Sequence, residues 1–155
     1  MILPIEKGEN NEFLRKKSLL IESVDLPAGR QGEKILDLAK DMIQTMIRNN
    51  GVGLAACQIG MNVRMFVINE DLTKKQIFIN PEIFKMSKKT EICDEGCLSF
   101  PNLFKKIPRA KSLKIKAIDE NGKEFKLKAK GLFARAIQHE MEHLDGILLV
   151  DHDQN

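Results

Sequence analysis

The sequence predicts an α+β fold, with a mostly antiparallel sheet packed against an N-terminal helix and a C-terminal helix. Three features predict it. Residues 33–50, "EKILDLAKDMIQTMIRNN", carry Ile35, Ala39, Met42, Ile43, Met46 and Ile47 at spacings of three and four, the period of an amphipathic helix. The middle of the chain is rich in β-branched and aromatic residues and in apolar/lysine alternation, the period of a half-buried strand. A second helical pattern runs from about Leu132 to Leu144. The order helix, several strands, helix gives α+β with a mostly antiparallel sheet packed against helices.

The elements follow in order. Residues 1–32 are polar and contain the loop-like "DLPAGRQGE", where Pro27, Gly29 and Gly32 mark irregular backbone. Asn50-Gly51 supplies the stop for the first helix. "NVRMFVINE" and "KQIFINPEI" read as strands. "SLKIKAIDENGKEFKLKAKG" alternates on both sides of Asn121-Gly122, which predicts a hairpin with a type I′ turn. Gly146 follows the last helix.

A chain of 155 residues fits one domain, 1–155, and is long enough to bury a substantial core. Hydrophobic residues at 43% and charged residues at 30% exclude disordered and membrane classes. The formal charge of +3 is too small to imply a nucleic-acid partner, and the lysines of "FKKIPRAKSLKIKA" read as a solvated strand face, so no direct nucleic-acid binding is expected. "MILPIEKGEN" turns polar before a signal peptide could develop, and no apolar run approaches the ~18 residues of a membrane span. A cytoplasmic location with no membrane partner is expected. Three cysteines, Cys57, Cys93 and Cys97, argue against a disulfide framework.

The chemistry sits in "QHEMEHLDG", residues 138–146. Stepping 100° per residue from Leu132, Ala136 falls at about 40°, His139 at about 340° and His143 at about 20°, so both imidazoles share a face. Phe133, Ile137, Met141 and Leu144 form a separate apolar stripe between about 100° and 180°, and Glu140 lies between the two at about 80°. This is the H-E-x-x-H pattern, in which two histidines bind a metal and the glutamate acts as a base toward water. A catalytic site needs a third protein ligand and an open position. The candidates are His152, Cys57 and Cys97, and Cys97 has the best local context, following Gly96 in a turn. Cys93 and Cys97 with His139 and His143 could instead close a structural Cys2His2 site, although that reading leaves Glu140 without a use. An H-E-x-x-H metallopeptidase is the remaining alternative.

"GVGLAACQIG" (51–60), "EGCLS" (95–99) and "QHEMEHLDG" together resemble the three motifs of the peptide deformylases, in their order and at about their spacings. The resemblance continues through "INPEI", "PRA" and the Asn-Gly hairpin, with a weaker echo in "FLRKKS". It implies hydrolysis of the formyl group from the N-terminal formyl-methionine of newly made polypeptides, releasing formate. It implies Cys97, His139 and His143 as ligands of one divalent ion, natively Fe2+, with Zn2+, Ni2+ or Co2+ as substitutes. Glu140 matches the catalytic acid/base, and Gln58 and the backbone N–H of Leu98 match the donors to the developing oxyanion. Val52, Gly53, Gly96, Leu132, Arg135 and Ala136 match positions that line the substrate.

This chain departs from the family pattern at several points. Glu142 stands where the family usually has Asp, with a modest effect expected beside His143. Arg135 stands where an apolar residue usually lines the methionine pocket; either its charge alters methionine preference, or its methylene stem lies along the wall while the charge leaves the pocket. "LPAGRQG" looks inserted. Many relatives continue into a helix that docks on the ribosome; here the chain ends at Asn155, and a transient ribosome association finds no support by that route.

Overall fold

Helices α2 (Gly32–Arg48) and α3 (Gly131–Leu144) bracket a sheet in a computed structural model that describes residues 1–23, 25–27, 29 and 32–152. A short α1 (Glu12–Arg15) precedes them, with the Asn11 side chain accepting hydrogen bonds from the Phe13 and Leu14 N–H groups. Sequence reading missed it, because four residues carry no periodic signal. Of the inserted-looking loop, Ala28, Arg30 and Gln31 lie outside the described residues.

The strands are β1 (Gly53–Ala55), β2 (Met65–Ile68), β3 (Ile77–Met86), β4 (Thr90–Cys97), β5 (Phe100–Ala110), β6 (Ser112–Ile118) and β7 (Glu124–Lys130). Five form an antiparallel sheet in the order β1-β2-β3-β6-β7, and β4 pairs with β5 as a separate hairpin. "NVRMFVINE" contributes only Met65–Ile68 as strand, while Val63 bridges to Leu19.

Alternation along the strands divides the core between the two sheet faces. Ala55, Phe66, Ile68, Phe78, Leu113, Ile115 and Ala129 turn toward α3, packing with Ala134, Ile137 and Leu144. Leu54, Met65, Val67 and Ile79 turn the other way, onto Ala39, Met42 and Met46 of α2. α2 stops where Asn50 takes a left-handed φ of 56° and the Gly51 N–H reaches back to Met46 O at 2.9 Å.

The β6–β7 turn is not type I′. That turn needs positive φ at both central residues, and of Asn121 and Gly122 only Gly122 has it, at 76°. Instead Gly122 N–H donates to Asp119 O at 3.0 Å, and Asp119 N–H donates to Lys123 O at 2.9 Å, giving a three-residue loop with a left-handed glycine. Asp119 Oδ1 accepts from the Asn121 and Lys123 N–H groups, and this side-chain cap decides between the two turns. Among the described residues, no helix is long and apolar enough to cross a membrane.

Candidate metal and catalytic site

The site forms where α3 crosses β1 and the end of β4. α3 keeps its sequence-predicted split between faces, with Ile137 and Leu144 fully buried in the core and both histidines on the face toward β4. Gln138 fixes the helix against the sheet: its Oε1 accepts from Ala110 N–H at 2.9 Å, and its Nε2 donates to Ala110 O and Ala134 O, each at 3.0 Å. On β4 the pairing with β5 is regular through Gly96, opposite Phe104, then slips so that Cys97 stands opposite Phe100. Such a slip re-aims the next side chain. A Cβ on Gly96 would sit 2.9 Å from the Phe104 ring, so glycine allows the close approach at the slip.

The re-aimed Cys97 Sγ lies 3.2 Å from His143 Nε2, and ligating atoms of Cys97, His139 and His143 all fall within 4.8 Å of one another. Bond lengths of ~2.3 Å to sulfur and ~2.0–2.1 Å to nitrogen put neighbouring tetrahedral ligands about 3.5 Å apart, so these donors can share one ion. A thiolate with two imidazoles suits several divalent metals. Cys93 does not join the group, which separates the cluster from a closed Cys2His2 arrangement. Cys57 does not join it either: its Sγ donates to the His143 carbonyl at 3.4 Å, and burial pushes its thiol up to about 12. His152, the remaining ligand candidate, binds Glu142 Oε2 through Nε2 at 2.6 Å.

Behind the cluster lies an ion network that sequence reading did not find. Glu95 Oε1 meets His139 Nδ1 at 3.0 Å, which leaves His139 Nε2 toward the ligand cluster. Arg109 grips the same carboxylate bidentately, Nε to Oε2 and Nη2 to Oε1, both at 2.8 Å, and its Nη1 also pairs with Glu142. Arg135 Nη1 donates to Glu95 Oε2 at 2.6 Å and to Ile107 O at 2.8 Å, and Nη2 donates to Glu91 O at 2.6 Å. Burial alone would raise Glu95; Arg109 and His139 outweigh it and hold the carboxyl well below the usual carboxylate range. Glu95 and Arg109 stood inside "EGCLS" and "PRA", but no local spacing reveals partners 14 residues apart on neighbouring strands.

Burial works against charge on His139, yet the hydrogen bonds it donates to Cys97 and Glu95 push it up to about 10, so loading an ion there displaces a proton. Burial and the neighbouring His139 push His143 well below 6.5, into the neutral form that ligates. Glu140 is 3% exposed, and burial pushes its carboxyl up to about 7 against the opposing pull of His139. Its Oε2 is buried without a hydrogen-bond partner, as is His143 Nδ1. A Cβ on Gly53 would lie 2.7 Å from Glu140 Oε1, so glycine on β1 lets this carboxylate stand against the strand.

A cavity of about 150 Å³ opens onto these groups. Val52, Gly53, Gly96, Leu132, Arg135 and Ala136 all line it, beside Gln58, Cys97, His139 and Glu140. Leu98 and His143 do not line it: Leu98 packs toward α2, and His143 is buried behind. Arg135 lines the cavity together with Glu95, whose Oε2 takes up the guanidinium charge at 2.6 Å. Gln58 Oε1 accepts from Ala55 N–H at 3.0 Å, while Nε2 donates to Ser99 Oγ at 3.1 Å and approaches Cys97 Sγ at 3.7 Å.

Set beside known proteins, residues 2–155 match the model of the polypeptide deformylase family. The chain is 46% identical over 145 residues to Peptide deformylase 1 of Clostridium perfringens, with 93% of each chain covered. It is 42% identical over 151 residues to a peptide deformylase of Dictyoglomus thermophilum, covering 97% of this chain and 92% of that one. The crystal structure of a class I type b peptide deformylase from Acinetobacter baumannii superposes with a TM-score of 0.91 at 31% identity, covering 98% of this chain and 99% of that one.

Proposed function

The chain belongs to the polypeptide deformylase family, and on that premise we propose which of its residues carry out the reaction. That reaction is hydrolytic removal of the N-formyl group from newly made polypeptides, in a metal-dependent enzyme. We read residues 1–155 as one catalytic domain. Cys97, His139 and His143 would hold one divalent ion, ferrous iron in the cell with zinc, nickel or cobalt as substitutes, and its chemistry there is Lewis-acid activation of water and polarisation of a carbonyl.

The other roles fall to the protein's own groups. Glu140 takes a proton from the attacking water and returns it to the leaving amine. The formyl carbon gains a C–O bond and loses its C–N bond, giving formate and a free N-terminus. An acid/base should titrate near the working pH, and burial has brought Glu140 to about 7. Gln58 Nε2 and the Leu98 N–H donate to the oxygen that becomes negative, and loss of one such donor costs on the order of 3 kcal/mol. Gln58 is held for this by Ala55 N–H on its other amide atom. Val52, Leu132, Ala136 and the Arg135 stem form an apolar wall for a methionine side chain, while Gly53 and Gly96 let substrate backbone approach.

The observation that carries this reading is the meeting of Cys97 Sγ and His143 Nε2 at 3.2 Å beside a buried, half-unpartnered Glu140. The test is formate release from a formyl-methionyl peptide by anaerobically purified protein loaded with ferrous iron, nickel or cobalt. Turnover is expected, and Glu140→Ala should leave a folded, metal-bound protein slowed by ~10²–10⁴-fold. No turnover with any of the three metals would sink the assignment.

A further inference from the structure

The sheet is covered on its α2 side only at the β1-β2-β3 end. Leu113, Ile115 and Ala129 of β6 and β7 turn toward α3, so the alternate residues of those strands turn away from it. There the register lines lysines up across strands. Lys85 pairs with Lys114 and Lys114 with Lys128; one step along, Glu82 pairs with Lys116 and Lys116 with Lys126; Lys130 stands opposite Ser112. Of these six lysines only Lys116 has a carboxylate partner among the described residues, Glu82 at 3.4 Å.

Like charges directly opposite each other destabilise a sheet. Neighbouring strands lie about 4.8 Å apart and same-face residues about 6.7 Å apart, so this array concentrates charge far beyond what a net +3 implies. The half-exposed Phe84 stands at the β3 edge of the array, with Lys126 Nζ 5.7 Å from its ring centroid. A cationic lattice bordered by an aromatic face fits a nucleic-acid backbone with an unstacked base at its side. A bilayer is better met by an amphipathic helix with a wide apolar face.

We propose that the outer face of β3, β6 and β7 is an RNA-binding surface that engages phosphates through Lys85, Lys114, Lys126, Lys128 and Lys130. It replaces the expectation of a merely solvated lysine face with no nucleic-acid partner, because the cross-strand register is legible only in the fold. The face lies across the sheet from α3, so a bound RNA leaves the cavity at Gly53 and Glu140 open to peptide.

The test is fluorescence anisotropy of a labelled single-stranded RNA with the full chain, nickel-loaded, across a salt series. Two triple variants at Lys114, Lys126 and Lys128, one to Glu and one to Gln, are each compared with a charge-matched control carrying the same substitutions at Lys7, Lys17 and Lys74. Each phosphate contact contributes about 0.7 to the log–log salt slope of a single strand, so losing three should weaken binding by about 100-fold at 0.1 M salt. A loss of at least tenfold relative to the control, with a shallower slope and unchanged formate release from a short formyl peptide, is expected. Less than tenfold, no RNA binding by the parent at low salt, or capture by anionic vesicles without RNA binding would overturn the proposal. The glutamine variant removes repulsion without adding charge, so failure of the glutamate variant to fold leaves the measurement intact.

Discussion

At the scale of single residues, the site depends on a carboxylate that performs no chemistry. Glu95 is 7% exposed and meets Arg109, Arg135 and His139 at once, with Glu142 adding a second negative charge to Arg109. Two carboxylates thus stand against two guanidinium groups, and removing one charge strands the others. Glu95→Gln should cost about 3–5 kcal/mol in stability, measured by urea unfolding near neutral pH. The pH dependence has a definite sign. Glu95 is depressed below its ordinary 4.5, so its stabilisation is complete above about 4.5 and is lost as pH falls further. The parent should therefore lose stability steeply below that point, and the glutamine variant should lose less of it; equal slopes would contradict the role given to this group. Residue identity alone hinted at little of this: "EGCLS" displays a glutamate, but its charge partners come from β5 and α3.

At the scale of elements, two glycines decide how closely strands approach the chemistry. Gly53 on β1 needs no left-handed backbone, so alanine fits the strand; the difficulty is its methyl, 2.7 Å from Glu140 Oε1 and 3.0 Å from Cγ. Gly53→Ala should keep its fold by circular dichroism and its metal by elemental analysis, yet lose on the order of 10²-fold in kcat as Glu140 is displaced. A variant with unchanged kcat would show that Glu140 can shift freely. Both long helices were legible from periodicity to within two residues at each end. The hairpin strands were legible too, but not their turn, because Asp119 caps a loop that the Asn-Gly pair alone assigns to another type. Gly96 was read from the sequence as part of a turn; that it marks a slip at the end of β4, parting Cys97 from Cys93, required the β5 register.

At the scale of the whole molecule, the proposed ion links parts distant in sequence: the end of the β4–β5 hairpin through Cys97 and α3 through His139 and His143. A ligand that binds only the folded state stabilises it by about 2.7 kcal/mol at a hundredfold excess over its Kd. Stripping metal with a chelator should accordingly lower Tm by several degrees, and reloading nickel should restore it; an unchanged Tm would mean that the cluster holds no ion in the folded protein. The sequence by itself determined the fold class, the two helices, the ligand face of the last one and, through three separated motifs, the family. These are properties of spacing along the chain, which local periodicity and residue chemistry encode directly. Only tertiary structure decided that Cys97 rather than Cys57 or His152 joins the histidines, that the Arg135 charge is met by Glu95, and that lysines stand in rows. Each depends on register or packing between distant segments, where burial and charge pairing act across space and leave no fixed interval in the sequence.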